Sequence, residues 1–70
     1  MQMPLILMIY DSQAWLCRGD WNRPVERNEF QAWAAYTGIE LRSIEDSTSQ
    51  LVVLSTFHQE TLFELMWVMP

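Results

Sequence analysis

Three stretches of this chain are apolar without interruption: Leu5-Ile6-Leu7-Met8-Ile9-Tyr10, Leu51-Val52-Val53-Leu54 and Leu65-Met66-Trp67-Val68-Met69. A strand solvated on one side alternates apolar and polar residues, because successive side chains point to opposite faces. Unbroken runs therefore predict strands that are apolar on both faces. A sheet made of such strands needs covering twice, and 70 residues supply little material for a second layer. The chain is expected to be one domain, residues 1–70, that hides one sheet face against a partner.

The remaining signals place these runs in an order. Residues 5–10 read as the first strand and 11–13 as a turn, since Asp11 and Ser12 can bond to nearby backbone. Residues 14–18 read as a short strand hairpinned to it, and 19–24 as a loop broken by Gly19 and Pro24. Phe30, Trp33, Ala34 and Thr37 recur at i, i+3, i+4 and i+7, the stripe of an amphipathic helix, and Gly38 is its expected stop. The helix begins either near Pro24, in the first turn, or at Asn28 as N-cap with Gln31 completing a capping box. Residues 39–44 read as a strand with Ile39 and Leu41 on one face and Glu40 and Arg42 on the other. A polar turn at 45–50, a strand at 51–57, a tight connection at 58–61 and a last strand at 62–69 complete the chain. The predicted fold is α+β: an antiparallel sheet of four to five strands in the order β(β)αβββ, with one helix packed on one face.

One helix about 20 Å long and about 10 Å wide covers at most one side of such a sheet. The other side is left with about 400 Å² of apolar surface, from the usual strand rise and spacing. Hiding that surface is worth about 10 kcal/mol before the cost of association. A homodimer is the simplest cover, because two-fold dimers are the commonest oligomers. A charge placed on that face, at Val53 or Met66, is expected to split the oligomer.

The residue inventory argues against catalysis. His58 and Cys17 are the only histidine and cysteine, with no third orienting group at a recognisable spacing. A metal would need carboxylates from scattered positions. Two glycines and no lysine exclude a phosphate-binding loop and Schiff-base chemistry. No enzyme activity, cofactor or metal is expected. The single cysteine suits a reducing compartment. Without a basic N-terminal stretch or an apolar span of about 20 residues, the chain reads as cytoplasmic and not membrane-bound.

Nine acidic residues face four arginines, for a net charge of −5. Beyond residue 35 only Arg42 opposes Glu40, Glu45, Asp46, Glu60 and Glu64. This acidic half disfavours direct contact with nucleic acid or anionic lipid and suits a basic partner surface. Of the four tryptophans, Trp33 and Trp67 fall in predicted core positions. Trp15 and Trp21 flank a loop-like stretch near Arg23, and Trp with Arg is the pairing that interface hot spots favour. Alternatively both rings seal the open end of the sheet.

In size, acidity, absence of lysine and lack of catalytic residues, the chain resembles the small phage-encoded inhibitors of bacterial defence, anti-CRISPR proteins among them. The resemblance implies a non-enzymatic protein that binds a nucleic-acid-binding effector complex and masks its DNA site, with carboxylates imitating phosphates. Glu40, Glu45, Asp46, Glu60 and Glu64 are then the candidate contacts, with Trp15 and Trp21 as further partner-binding residues. The alternative is a homodimeric structural or accessory module whose acids only solubilise it. Clustering of the acids on one face within about 8–10 Å, a Debye length, favours mimicry, and scatter favours solubility.

Overall fold

A computed structural model describes residues 4–10, 13–45 and 47–69. It has five strands in one antiparallel sheet: β1 (Leu5–Tyr10), β2 (Gln13–Arg18), β3 (Trp21–Glu26), β4 (Glu40–Ser43) and β5 (Gln50–Val53), ordered β3-β2-β1-β5-β4. Two helices, α1 (Arg27–Thr37) and α2 (Phe57–Phe63), lie on one face, and a π-helical turn, Glu64–Val68, extends α2. The protein is thus an α+β fold with an antiparallel sheet of five strands, as the apolar runs predict.

β1 is the middle strand and is apolar on both sides. Leu5 and Leu7 are buried beneath the helices, with Leu7 opposite Leu16 of β2 and Leu5 opposite Val52 of β5. Ile6 and Met8 point the other way and are half-buried. Because every pairing in the sheet is antiparallel, β3 and β4 run parallel at opposite edges. Parallel strands need a crossover connection, usually a helix, and α1 supplies it.

α1 ends where its sequence says it should. Gly38 sits at φ 78°, a left-handed conformation that costs other L-residues about 1–2 kcal/mol, and its N–H bonds back to Ala34 and Ala35. The start corrects both expected positions. Pro24 lies in β3, and Glu26 is the N-cap, accepting a hydrogen bond from the Glu29 N–H at 2.6 Å. Phe30 and Ala34 of the expected stripe are buried, and Trp33 and Thr37 are half-buried.

Two segments depart from the predicted order. Residues 19–24 are not a loop: Gly19 and Asp20 form a two-residue turn, with Gly19 at φ 59°, between paired strands β2 and β3. Gly-Asp is a recognised hairpin dipeptide. Pro24 is tolerated because β3 is an edge strand, where a missing N–H breaks no ladder on the open side. Residues 62–69 are not a strand, and the 51–57 strand ends at Val53. The Thr56 side chain caps α2 by accepting from the Gln59 N–H at 3.1 Å, and Gln59 Oε1 accepts from the Ser55 N–H at 2.8 Å. This is a capping box displaced by one residue on its return bond. Apolar runs of this length are compatible with strand or helix, and here the cap selects helix.

The helices meet the sheet through an aromatic cluster. Trp67 packs edge-on to Phe30 and Trp33, with ring centroids 5.1 and 5.6 Å away, and Phe63 meets Trp21 and Trp33 at 6.4 Å. Phe63 and Trp67 are buried one turn apart, so they fix which side of the C-terminal helix faces inward.

Candidate functional site

The inward side of α2 determines what it shows to solvent. The π turn is closed by the Met69 N–H donating to the Glu64 carbonyl at 2.8 Å. Arg23, on β3, donates to the carbonyls of Trp67 and Val68, placing a cation at the negative end of the helix. With the helix held this way, Leu65, Met66, Val68 and Met69 are left 61, 51, 37 and 55% exposed. Along the outer side, Phe57 lies about two turns before the neighbours Glu64 and Leu65, and Val68 lies about one turn after them. Glu60, one turn before Glu64, is half-buried at the flank. Beside this ridge, Leu5, Arg18, Trp21, Phe63, Glu64 and Val68 line a cleft of about 120 Å³.

The sheet face away from the helices is a second apolar surface. Ile6, Met8, Trp15, Cys17, Leu51 and Val53 all project from it and are half-buried. The Cys17 thiol lies 3.6 Å from the Met8 sulfur. Met8, Tyr10, Trp15, Cys17 and Asn22 line a shallow depression. Of Val53 and Met66, between which the sequence does not choose for this face, Val53 is the one that lies on it. Met66, its alternative, is on the helical side because residues 64–68 are not a strand.

The acidic residues read from the sequence do not gather on one face. Glu40 lies on the helix-free side of β4, 2.9 Å from Arg42, in an ion pair more than half exposed and therefore weak. Glu45 is exposed in the β4–β5 connection, and Asp46 lies outside the described residues. Glu60 and Glu64 belong to the helical layer on the other side of the sheet. By the criterion of one-face clustering, only the Glu60–Glu64 pair qualifies.

Trp15 and Trp21 are also separated. A two-residue hairpin pairs odd positions with even ones, so Trp15 opposes Pro24 and Trp21 opposes Arg18. Trp15 therefore projects from the helix-free face, whereas Trp21 turns inward against Phe63. Cys17 and His58 are likewise divided, the first on the helix-free face and the second exposed in the first turn of α2. Among the described residues no three His, Cys, Asp or Glu side chains are placed to hold a metal ion, and no helix is long and apolar enough to cross a membrane.

The outer ridge of the C-terminal helix is not legible in the sequence, because the apolar run that carries it reads equally as a strand. Its usable signal was Thr56-Phe57-His58-Gln59, which matches the capping-box spacing. No protein-family model, curated protein or solved structure matches this chain.

Proposed function

We propose that the protein is a non-enzymatic binding domain that inhibits a partner protein by laying the outer ridge of its C-terminal helix on it. The carrying observation is the side-by-side exposure of Leu65, Val68 and Met69 with Glu64 on one helix end. Apolar side chains exposed this far and next to one another mark interaction surfaces more often than solvated ones. Methionine suits such a surface because its flexible thioether adapts to an irregular groove. Glu60 and Glu64 add negative charge along the same helix, so the complementary site is an apolar groove with a basic rim. A nucleic-acid-binding protein offers such a rim, which supports the likeness to anti-CRISPR-type inhibitors and makes occlusion of a DNA site the mode of action. The mimicry rests on Glu60 and Glu64 alone. Glu40 is on the opposite side of the sheet and serves solubility.

The test is capture of partners from a bacterial lysate on immobilised wild-type protein, Leu65→Asp and Glu60→Lys/Glu64→Lys, at low and high salt. Wild type is expected to retain a nucleic-acid-binding protein at low salt and release it on addition of DNA. Leu65→Asp is expected to weaken retention at least tenfold, or about 1.4 kcal/mol. The charge reversal should abolish retention at low salt, where surface charge acts furthest. Equal retention by all three proteins, with unchanged circular dichroism, would refute the ridge as the binding surface. Retention that DNA does not displace would refute the occlusion of a DNA site and leave the homodimeric accessory module as the better reading.

A further inference from the structure

We infer that the cleft between the C-terminal helix and the end of the sheet is a binding site for a small apolar α-amino acid, held as its zwitterion. Arg18 takes the carboxylate, Glu64 takes the ammonium group, and the apolar walls take the side chain. The inference does not rest on the binding ridge, although Glu64 and Val68 border both.

The cleft is built from both layers. Arg18 opposes Trp21 across the β2–β3 hairpin and follows the buried Leu16 by two residues, so it belongs to the helical face. Leu5 of β1 lies beside it, and Phe63, Glu64 and Val68 of the C-terminal helix form the opposite wall. Arg18 has no partner there. Its Nε is buried without an acceptor, and the ion pair found among the described residues is Arg42 with Glu40. The nearby helix carbonyls are occupied: those of Trp67 and Val68 accept from Arg23, and that of Glu64 accepts from the Met69 N–H. Withdrawing a guanidinium from water without acceptors is costly, and buried polar groups in folded proteins are normally satisfied. A carboxylate in the cleft, matched to the guanidinium fork, supplies the missing acceptor.

The remaining walls decide which carboxylate fits. Leu5, Trp21, Phe63 and Val68 are apolar, so a bare inorganic anion would leave them unused. The cleft measures about 120 Å³. A dry cavity of about 150 Å³ accommodates a benzene ring, so a branched group of about four carbons, such as an isobutyl side chain, suits this one. Glu64 is exposed on the same cleft and not paired with Arg18, which sets a negative charge opposite the positive one. It repels a simple carboxylic acid and attracts an α-ammonium group. A zwitterion therefore uses every residue of the lining. An apolar pocket with a few convergent polar groups is the ordinary form of a small-molecule site.

The test is an NMR titration of the isotope-labelled protein, read at the Trp21 indole N–H and the Val68 amide. Leucine carries both charges and the side chain. N-acetylleucine lacks the ammonium group, leucinamide lacks the carboxylate, and glycine lacks the side chain. Leucine is expected to shift both signals saturably, and each of the others to bind at least about tenfold more weakly. Arg18→Gln and Glu64→Gln should each weaken leucine binding by a similar factor. The ligand series needs no variant, so the test stands even where a variant does not fold. N-acetylleucine binding as tightly as leucine would overturn the zwitterion in favour of a carboxylate alone, such as a peptide C-terminus. Leucinamide doing so would overturn it in favour of an amine. Equal binding of glycine would overturn the role of the apolar walls, and no saturable shift with leucine would overturn the site itself. Arg18→Gln should leave capture by the ridge unchanged, and Leu65→Asp should leave leucine binding unchanged, so the two readings fail separately.

Discussion

At the scale of single residues, the fold is decided at helix ends and turns, where one side chain or one φ angle selects among conformations. Gly38 is the clearest case. A Cβ built there meets nothing within 4 Å, so the cost of adding one is conformational and not steric. Gly38→Ala is expected to destabilise the domain by about 1–2 kcal/mol, and Gly38→Asn by less, because asparagine tolerates the left-handed region. Urea unfolding midpoints of the two variants measure the difference. Equal midpoints for all three proteins would mean that the turn relaxes. Thr56 decides helix against strand for the C-terminal run in a similar way. Thr56→Ala removes the hydroxyl that receives the Gln59 N–H and should cost about 1 kcal/mol. Fraying of α2 in amide exchange should accompany the loss. An unchanged exchange pattern would show that packing alone holds the helix.

At the scale of elements, α2 is held by its aromatic side and by Arg23 at its end. Trp67 is 7% exposed, and its indole N–H finds no acceptor among the described residues. The ring therefore contributes through packing against Phe30 and Trp33 rather than through a hydrogen bond. Trp67→Ala should cost about 3–5 kcal/mol, a large share of the roughly 4–10 kcal/mol expected for a domain of this size. Trp67→Phe keeps an aromatic ring and removes the unpaired N–H, so its cost should be well below that of the alanine variant. Urea titration of both variants separates these outcomes, and equal losses would mean that the N–H carries the interaction. The element scale also explains why residues near one another in sequence do not make one site. A two-residue turn places Trp15 and Trp21 on opposite faces, and the sheet itself stands between Glu40 and the Glu60–Glu64 pair.

At the scale of the whole molecule, the two apolar surfaces point in opposite directions. The ridge built on Leu65, Val68 and Glu64 lies on the helical side, and Tyr10 lies on the helix-free side. Tyr10→Arg should accordingly leave capture of a partner by the ridge unchanged in the lysate experiment. Loss of capture by that variant would mean that the two faces act together.

Much of the architecture was legible in residue order alone. The all-apolar run at 5–10 pointed to a strand apolar on both sides, because its β-branched and long apolar residues suit a strand and its length is short for a helix. The 30, 33, 34, 37 stripe and Gly38 specified α1 and its end through helical periodicity and the single residue type at ease at positive φ. An excess of apolar strand surface over available cover followed from chain length. Tertiary structure decided the rest. The 62–69 run has apolar residues enough for either strand or helix, and the Thr56 cap, the aromatic floor and the Arg23 contact resolved it. Residues 21–26 became a strand because an edge position excuses a proline, which local sequence cannot know. The surfaces that would meet a partner depend on register and hairpin parity, and a shift of one residue exchanges the two faces of a strand. That is why the apolar excess could be counted from the sequence, whereas the placement of the acids and tryptophans could not.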